Sequence, residues 1–346
     1  MNRRGYLDWL RGLAVLVMIE AHTLDAWSLP AEHARHAYRL AAFVGGFGAP
    51  LFLFLAGVSL ALAAGTRRRR GLADADVARR ALGRGAQIFA IAFLLRLQAW
   101  VVSQGPFVAT LLKVDILHVM GLSMLCAALA FARLHRSRDR VVILLALAVT
   151  ASLIAPLVPA AGWVDRLPMH LAWYFRIEPG WTQFTLFPWS GFLFAGAAIG
   201  IWLDDARTPE SERRVNVSLA AIGVVAGIGG YSLSLLPPIY ANVSFWTTSP
   251  AFFLLRAGIV MSLVSVAYGW NAWQSRTTWV HRLGVASLFV YWIHVELVYG
   301  VPTMWIHRRL TFEQALAGVV VVTALMYALV VLKERRTTQS RTLRGM

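Results

Sequence analysis

The sequence predicts an all-α, polytopic membrane helical bundle, and three observations lead to that class. The mean hydropathy of the 346-residue chain is +0.60, with 58% hydrophobic and only 14% charged residues. Soluble domains contain about 25% charged residues. Apolar stretches of about 20 residues recur along the chain, and each is long enough to cross a bilayer. Arginine clusters occupy alternate connections between these stretches, which is typical of membrane proteins with one fixed topology.

Ten apolar stretches are candidate transmembrane helices. Their approximate bounds are 7–28, 40–64, 86–104, 111–132, 141–161, 185–203, 217–237, 251–273, 285–303 and 312–332. No internal repeat and no linker rich in Pro, Gly or Ser is recognisable, so residues 1–346 are predicted to form a single transmembrane domain. Glycines in the second and sixth spans, among them Gly57, Gly196 and Gly200, predict close helix packing.

Basic residues predict which side of the membrane each connection faces. With the N-terminus in the cytoplasm, 24 of the 33 lysines and arginines fall on the cytoplasmic side and only 6 outside. This bias predicts that both termini are cytoplasmic. The net charge of +16 is then explained by topology and contact with anionic lipid, and no nucleic-acid partner is expected. The run RRRRGLADADVARRALGR is interpreted as topogenic, with contacts to a phosphorylated cytosolic ligand as the alternative.

The first span carries several ionisable side chains, which are costly in a membrane unless they face a cavity and therefore commonly mark function. At about 100° per residue, Arg11 and His22 fall within about 20° of one face, and Asp25 follows one turn later. A neutral imidazole can take up a proton, and a nearby carboxylate can orient it. We therefore expect His22 and Asp25 to face a functional cavity, where an imidazole and a carboxylate could act together. Arg11 could contact phosphates, or it could be an interfacial arginine paired with Asp8.

Polar residues in later spans are predicted to share a cavity with His22. Span four holds Asp115 and His118 one turn apart, span eight holds Arg256, and span nine holds His294. A lone membrane histidine is commonly a packing residue. Several polar groups at similar depth on different spans favour a shared functional cavity instead. No metal-binding motif is recognisable, and no metal is expected.

Five motifs together resemble bacterial members of the heparan-alpha-glucosaminide N-acetyltransferase-like membrane family. They are LDWLRGLAVLVMIEAH, APLFLFLAGVSLALA, DILHVMG, FPWSGFLFAGAAIG and SLFVYWIHVELVYG. The resemblance runs from about Leu7 to Gly300 and is most specific in the first two spans. The spacing of Arg11 and His22 also resembles the motif of the membrane acyltransferase-3 family, in which that Arg and His are needed for acyl transfer.

The resemblance implies a helical bundle that takes an acetyl group from cytosolic acetyl-CoA and hands it to an extracytoplasmic acceptor, often a sugar. It therefore implies an N- or O-acetyltransferase of the bacterial cytoplasmic (inner) membrane, with acetyl-CoA, a carbohydrate and the lipid bilayer as partners. The chain could also form a homo-oligomer. A membrane transporter or flippase of a polar or lipid-linked small molecule, with no chemistry of its own, is the alternative.

The position of the catalytic histidine stays open in this resemblance. In the lysosomal members the position that matches His22 looks like Asn, and the catalytic His falls shortly afterwards in the luminal segment. In this chain His33 lies eleven residues beyond His22, in PAEHARHAY. We favour His22, because it lies within the span and has Asp25 one turn away, and His33 is the alternative. Direct proton transfer and an acetyl-histidine intermediate are both compatible with the sequence.

The predicted topology can be tested with single cysteines. We expect Ala31→Cys to face the outside and Thr66→Cys to face the cytoplasm, each in a chain whose single native cysteine, Cys126, is replaced by alanine. A membrane-impermeant thiol reagent should label only position 31 in intact cells, and position 66 only after the membrane is opened. The reverse pattern would overturn the topology and the direction of acetyl transfer together.

Overall fold

The computed structural model describes residues 4–103, 106–241, 243–274 and 276–344, and side chains except those of 103 and 338–344. This part of the chain is helical and has no strand, apart from a single parallel bridge between Ser28 and Leu310. The α-helices in chain order are α1 Gly5–Trp27, α2 His36–Gly45, α3 Gly48–Arg69, α4 Asp74–Ser103, α5 Phe107–Leu112, α6 Ile116–Arg133, α7 Ser137–Ile154, α8 Met169–Ala172, α9 Trp189–Asp205, α10 Pro209–Ser234, α11 Pro250–Trp273, α12 Trp279–Val285, α13 Ser287–Tyr299 and α14 Phe312–Arg344.

The helices confirm an all-helical membrane fold. Within the described residues, six segments are long and apolar enough to cross a membrane. They are His36–Arg69, Asp74–Val102, Ile116–Arg133, Pro209–Ser234, Pro250–Trp273 and Phe312–Thr337. The other four predicted spans coincide with α1 and α7, which carry more charged residues, and with α9 and α13, which have only 17 and 13 residues. The count of ten spans and the cytoplasmic termini stay predictions.

Some residues used in these predictions lie outside the described part. Arg3 belongs to the count of basic residues but is not described, and neither are the side chains of Arg341 and Arg344. Residue 104, the last of the third predicted span, is also outside it.

The chain divides into two compact units that interleave in sequence. Unit 1 comprises Met1–Ala49 and Ala267–Met346, and unit 2 comprises Pro50–Val266. The divisions fall within α3 and within α11, so each of these helices contributes to both units. The prediction of a single domain for 1–346 stays a prediction.

In unit 1, α1 packs closely against α12. A Cβ atom on Gly12 would overlap the carbonyl group of Val280, and one on Gly284 would overlap the carbonyl group of Asp8. Glycine at both positions therefore allows the two backbones to approach. The apolar side of α1 is fully buried at Leu10, Val15 and Ile19. This contact fixes the N-terminal half of α1, so its C-terminal half is presented to α13 in a defined orientation.

In unit 2, α3 and α9 make a similar contact through the glycines that the sequence analysis selected. A Cβ atom on Gly57 would overlap the carbonyl group of Leu193, and one on Gly196 would overlap that of Phe54. Gly200 faces the backbone of Val58 in the same way. The prediction that glycines of the second and sixth spans allow close helix packing is confirmed, and the structure shows that the two helices pack against each other.

This packing predicts opposite effects for two Gly→Ala changes. Gly196→Ala should lower stability by about 1–3 kcal/mol, because the added methyl group has no room against α3. Gly83→Ala is the matched control, since its Cβ would point into open space and alanine favours a helix by about 1 kcal/mol over glycine. Thermal unfolding of the detergent-purified variants measures both. Equal stability of the two variants would contradict the close α3–α9 contact.

Candidate active site

A pair of histidines in edge-to-edge contact joins α1 to α13 in unit 1. His22 Nδ1 lies 3.0 Å from His294 Nε2, and the ring centroids are 5.2 Å apart. His294 is 0% exposed, and its Nδ1 lies 2.7 Å from the carbonyl oxygen of Val290, one turn earlier in α13. His22 is partly exposed. The structure thus brings together two of the predicted site residues, His22 and His294, from distant parts of the chain.

Asp25 contacts a residue that the sequence analysis did not select. The Tyr299 hydroxyl donates a hydrogen bond to Asp25 Oδ2 at 2.8 Å. The ring of Tyr299 also meets the His22 ring edge-on, with centroids 5.5 Å apart. Sequence reasoning expected Asp25 to orient the imidazole of His22, but in the structure His294 faces His22 Nδ1 and Asp25 binds Tyr299. A supporting role for Asp25 in catalysis stays a prediction.

Hydrogen bonds beyond the histidine pair hold α1 and α13 in register. The indole N–H of Trp27 donates to the carbonyl oxygen of Val298 at 3.0 Å. The chain after α13 returns to the end of α1, where the N–H groups of Arg308 and Leu310 donate to the carbonyl oxygens of Ala26 and Trp27 at 2.9 Å each. His22 faces His294 and Asp25 faces Tyr299, so the two helices run in the same direction along their contact.

His33, the alternative catalytic residue, lies in the connection between α1 and α2. Its ring stacks on that of Tyr38, with centroids 4.3 Å apart. His33 is exposed, whereas Tyr38 is buried. The neighbouring Arg35 forms ion pairs with Glu32 and Glu313, both at 2.6 Å. This surface network ties the connection to the start of α14, and the role of His33 stays open.

Arg11 donates to Asp8 Oδ1 at 2.6 Å across one turn of α1. This is the pairing that the sequence analysis gave as the alternative to phosphate binding. Asp8 is buried and Arg11 is partly exposed. A contact between Arg11 and a phosphorylated donor stays a prediction.

Asp115 and His118 lie together in unit 2, where they form the start of α6. The Asp115 carboxylate accepts hydrogen bonds from the N–H groups of Leu117 and His118, and its Oδ1 lies 2.9 Å from His118 Nδ1. Arg96 of α4 pairs with the other carboxylate oxygen at 3.0 Å. A capping aspartate stabilises a helix start by about 1 kcal/mol. The pair therefore has a structural role, and a binding role in one cavity with His22 stays a prediction.

The long connection between α7 and α9 folds onto this helix start. Tyr174 meets the His118 ring edge-on at 6.3 Å, and Lys113 Nζ donates to the carbonyl oxygen of Gly180 at 3.1 Å. Burial, with the negative charge of Asp115 acting in the same direction, raises the pKa of Tyr174 to about 12. The Tyr174 hydroxyl therefore keeps its proton at neutral pH.

Arg256 of α11 is buried in unit 2 among aromatic rings. Its guanidinium carbon lies 3.7 Å from the centroid of the Phe252 ring and 5.9 Å from that of Trp189. Cation–π contacts of this kind are favourable when the charge is shielded from water. Ring packing accounts for the position of Arg256, and its predicted binding role stays a prediction.

A small cavity of about 100 Å³ opens in unit 2 between the ends of α3, α7 and α9. Its charged lining residues are Arg68, Arg69, Arg140, Asp204, Asp205 and Arg207. Arg69 pairs with Asp204 at 2.5 Å. Arg207 is exposed. On the predicted topology this cavity faces the cytoplasm. No group of three or more potential metal ligands occurs within the described residues.

A comparison with models of known protein families identifies the family of this chain. The model for the catalytic region of heparan-alpha-glucosaminide N-acetyltransferase matches residues 3–241, more than half of the chain. The chain belongs to the heparan-alpha-glucosaminide N-acetyltransferase family. Its identification from the sequence motifs is confirmed, and the family indicates a membrane acetyltransferase. None of the curated proteins compared with the chain matches it.

The region that matches the heparan-alpha-glucosaminide N-acetyltransferase model includes His22 but not its partner His294. Arg11, His22, Asp25, His33 and the Asp115–His118 pair fall within residues 3–241, whereas His294, Tyr299 and Arg256 lie beyond them. Helical periodicity alone does not predict Tyr299 as a site residue. It lies five residues after His294 and therefore about 140° away from it around the axis of α13. The parallel contact between α1 and α13 brings it to Asp25.

Proposed function

We propose that this protein is an acetyl-CoA-dependent membrane acyltransferase. It moves an acetyl group from cytosolic acetyl-CoA to an extracytoplasmic amine or hydroxyl, with a carbohydrate as the favoured acceptor. The bacterial inner membrane is its proposed location. The observation that carries the proposal is a partly exposed histidine, His22, whose Nδ1 is held by His294, within the region that matches the catalytic model of an acetyltransferase family.

In the proposed reaction His22 acts as general base and then as general acid. Its imidazole takes the proton of the acceptor amine or hydroxyl as the new C–N or C–O bond forms at the acetyl carbon. The C–S bond of the thioester breaks, and the imidazolium returns the proton to the CoA thiolate. An imidazole suits both steps because its usual pKa lies near 6.5. The alternative route passes the acetyl group through a covalent acetyl-histidine.

The cavity of unit 2 is the proposed binding place for the phosphates of the donor. It lies among four arginines, and guanidinium groups bind phosphate through paired hydrogen bonds. Arg69 already forms an ion pair with Asp204. Arg68 and Arg140 both form ion pairs with Asp74. Arg207 is exposed at the cavity, so it is the arginine best placed to meet an incoming anion. Arg11 stays the second candidate for this contact.

Acetyl transfer can be measured as release of free CoA from acetyl-CoA, with glucosamine as the acceptor probe and the protein purified in detergent. We expect the unaltered protein to release CoA and His22→Ala to lose at least about 100-fold of that rate, since general acid–base catalysis contributes 10²–10⁴-fold. Binding of acetyl-CoA should be retained. Asp25→Asn should cost less, because the imidazole remains in place.

His33→Ala is the control for the alternative histidine and should leave CoA release nearly unchanged. Loss of activity in His33→Ala together with an active His22→Ala would move the catalytic residue to the outer connection. Loss in both variants would favour a relay between them. If the unaltered protein binds acetyl-CoA but releases no CoA with glucosamine, the proposed reaction with a sugar amine is wrong.

The proposed donor site predicts a selective effect on the KM for acetyl-CoA. Arg207→Gln should raise this KM several-fold and leave kcat nearly unchanged, because it removes a contact made equally in the ground and transition states. Arg213→Gln is the matched control, since Arg213 is an exposed arginine of the neighbouring α10 that does not line the cavity. An equal rise of KM in both variants would indicate a general effect of surface charge instead of a binding site.

A further inference from the structure

We propose that His294 is a positioning residue that holds His22 in the tautomer protonated at Nδ1, which leaves Nε2 as the proton acceptor. The catalytic consequence rests on the proposed acyl transfer. The protonation pattern itself does not, because it follows from the contacts of the two rings. His294 lies beyond the part of the chain that the family model matches, so the assignment depends on the contacts alone.

The carbonyl oxygen of Val290 determines the protonation of His294. A carbonyl oxygen only accepts hydrogen bonds, so the 2.7 Å contact with His294 Nδ1 requires a proton on that nitrogen. A neutral imidazole carries one proton, so His294 Nε2 then offers a lone pair. His294 is 0% exposed, and no carboxylate within the described residues hydrogen-bonds to it. A charged ring there would be costly, which favours the neutral form.

His294 in turn determines the protonation of His22. Because His294 Nε2 offers a lone pair, the 3.0 Å contact requires His22 Nδ1 to donate. The single proton of neutral His22 is then on Nδ1, and its Nε2 has a free lone pair. The ring of His22 is partly exposed, whereas that of His294 is buried. The proton acceptor of the pair is therefore Nε2 of His22.

Tyr299 is the residue that binds the carboxylate of Asp25 in the structure. Its hydroxyl donates to Asp25 at 2.8 Å, and its ring lies edge-on against His22. A carboxylate that accepted a hydrogen bond from His22 Nδ1 would draw the ring away from His294. With Asp25 bound to Tyr299, the surrounding contacts support the edge-to-edge hydrogen bond between the two imidazoles.

A neutral orienting group suits a membrane-embedded site. In serine proteases a buried aspartate holds the catalytic histidine in its tautomer. A carboxylate without a cationic partner is expensive at bilayer depth. An imidazole bound to a main-chain carbonyl supplies the same fixed acceptor without burying a net charge. The geometry of Val290, His294 and His22 is a chain of two hydrogen bonds that ends at a basic nitrogen.

The nitrogen resonances of histidine, which distinguish protonated from unprotonated ring nitrogens, test the tautomer directly. The full-length protein labelled with ¹⁵N-histidine is measured near neutral pH, and the His22 signal is assigned by its absence in His22→Gln. We expect unaltered His22 to be protonated at Nδ1. In His294→Met, which has no acceptor of comparable strength, the His22 signal should shift towards the form protonated at Nε2. His22 protonated at Nε2 in the unaltered protein would overturn the proposal, whatever the activity.

Kinetics separate a positioning role from a merely structural one. His294→Met should lower kcat for CoA release by about 100-fold or more, and it should change the KM for acetyl-CoA by no more than about twofold. For comparison, loss of the correct histidine tautomer lowers the kcat of a serine protease by about 10⁴-fold. His294→Gln keeps an acceptor oxygen and should recover at least about tenfold of that loss. His307→Met is the matched control, because His307 is a histidine of unit 1 that binds the Val298 carbonyl oxygen at 2.9 Å, and it should retain kcat.

These outcomes distinguish failure of the positioning role from failure of the proposed function. Unchanged kcat in His294→Met, with His22→Ala inactive, would overturn the positioning role alone. An active His22→Ala would overturn catalysis by His22, while the nitrogen spectrum would still report its tautomer. If His294→Met unfolds, the spectrum of the unaltered protein and the kinetics of His294→Gln remain decisive.

Discussion

Burying a polar side chain is costly unless it is hydrogen-bonded, so partners inside the protein stabilise the polar side chains of α1. This constraint explains the contacts of α1 in unit 1. Asp8 pairs with Arg11 within the helix, His22 pairs with His294, and Asp25 pairs with Tyr299. The last two contacts require α13 to lie parallel to α1 in one register. The glycine contact with α12 leaves that side of α1 free for them.

Hydropathy predicted the all-helical class and the six segments that are long and apolar enough to cross a membrane, because apolar composition and length decide whether a membrane helix forms. Helical periodicity predicted that His22 and Asp25 share a face of α1. It could not predict their partners, since the period of one helix says nothing about which other helix lies opposite. Asp25 was expected to serve His22 on grounds of sequence distance. The facing helix provides His294 and Tyr299 at the same height, and their positions decide the pairing.

The Asp115–His118 pair shows a second kind of error. Its spacing predicted the contact correctly, but the predicted span 111–132 placed both residues inside a helix. The structure begins α6 at Ile116, which makes Asp115 its N-cap and His118 the third residue of a capping box. An acid followed three residues later by a polar side chain is a recognised helix-start signal. Interpreted in that way, the same residues predict a structural role before a binding role.

In the proposed reaction the two supports of His22 would perform different tasks once it accepts a proton. His294 would fix the tautomer but would not balance charge, because its ring is buried and, in the proposed protonation pattern, neutral. The imidazolium would need a negative group nearby, and Asp25 lies one turn further along α1. Its hydrogen bond from Tyr299 holds the carboxylate in place without neutralising it. A carboxylate there would stabilise the charged ring and leave the neutral ring bound to His294. Orientation and charge compensation, which one aspartate supplies in serine proteases, would thus be divided between a histidine and an aspartate.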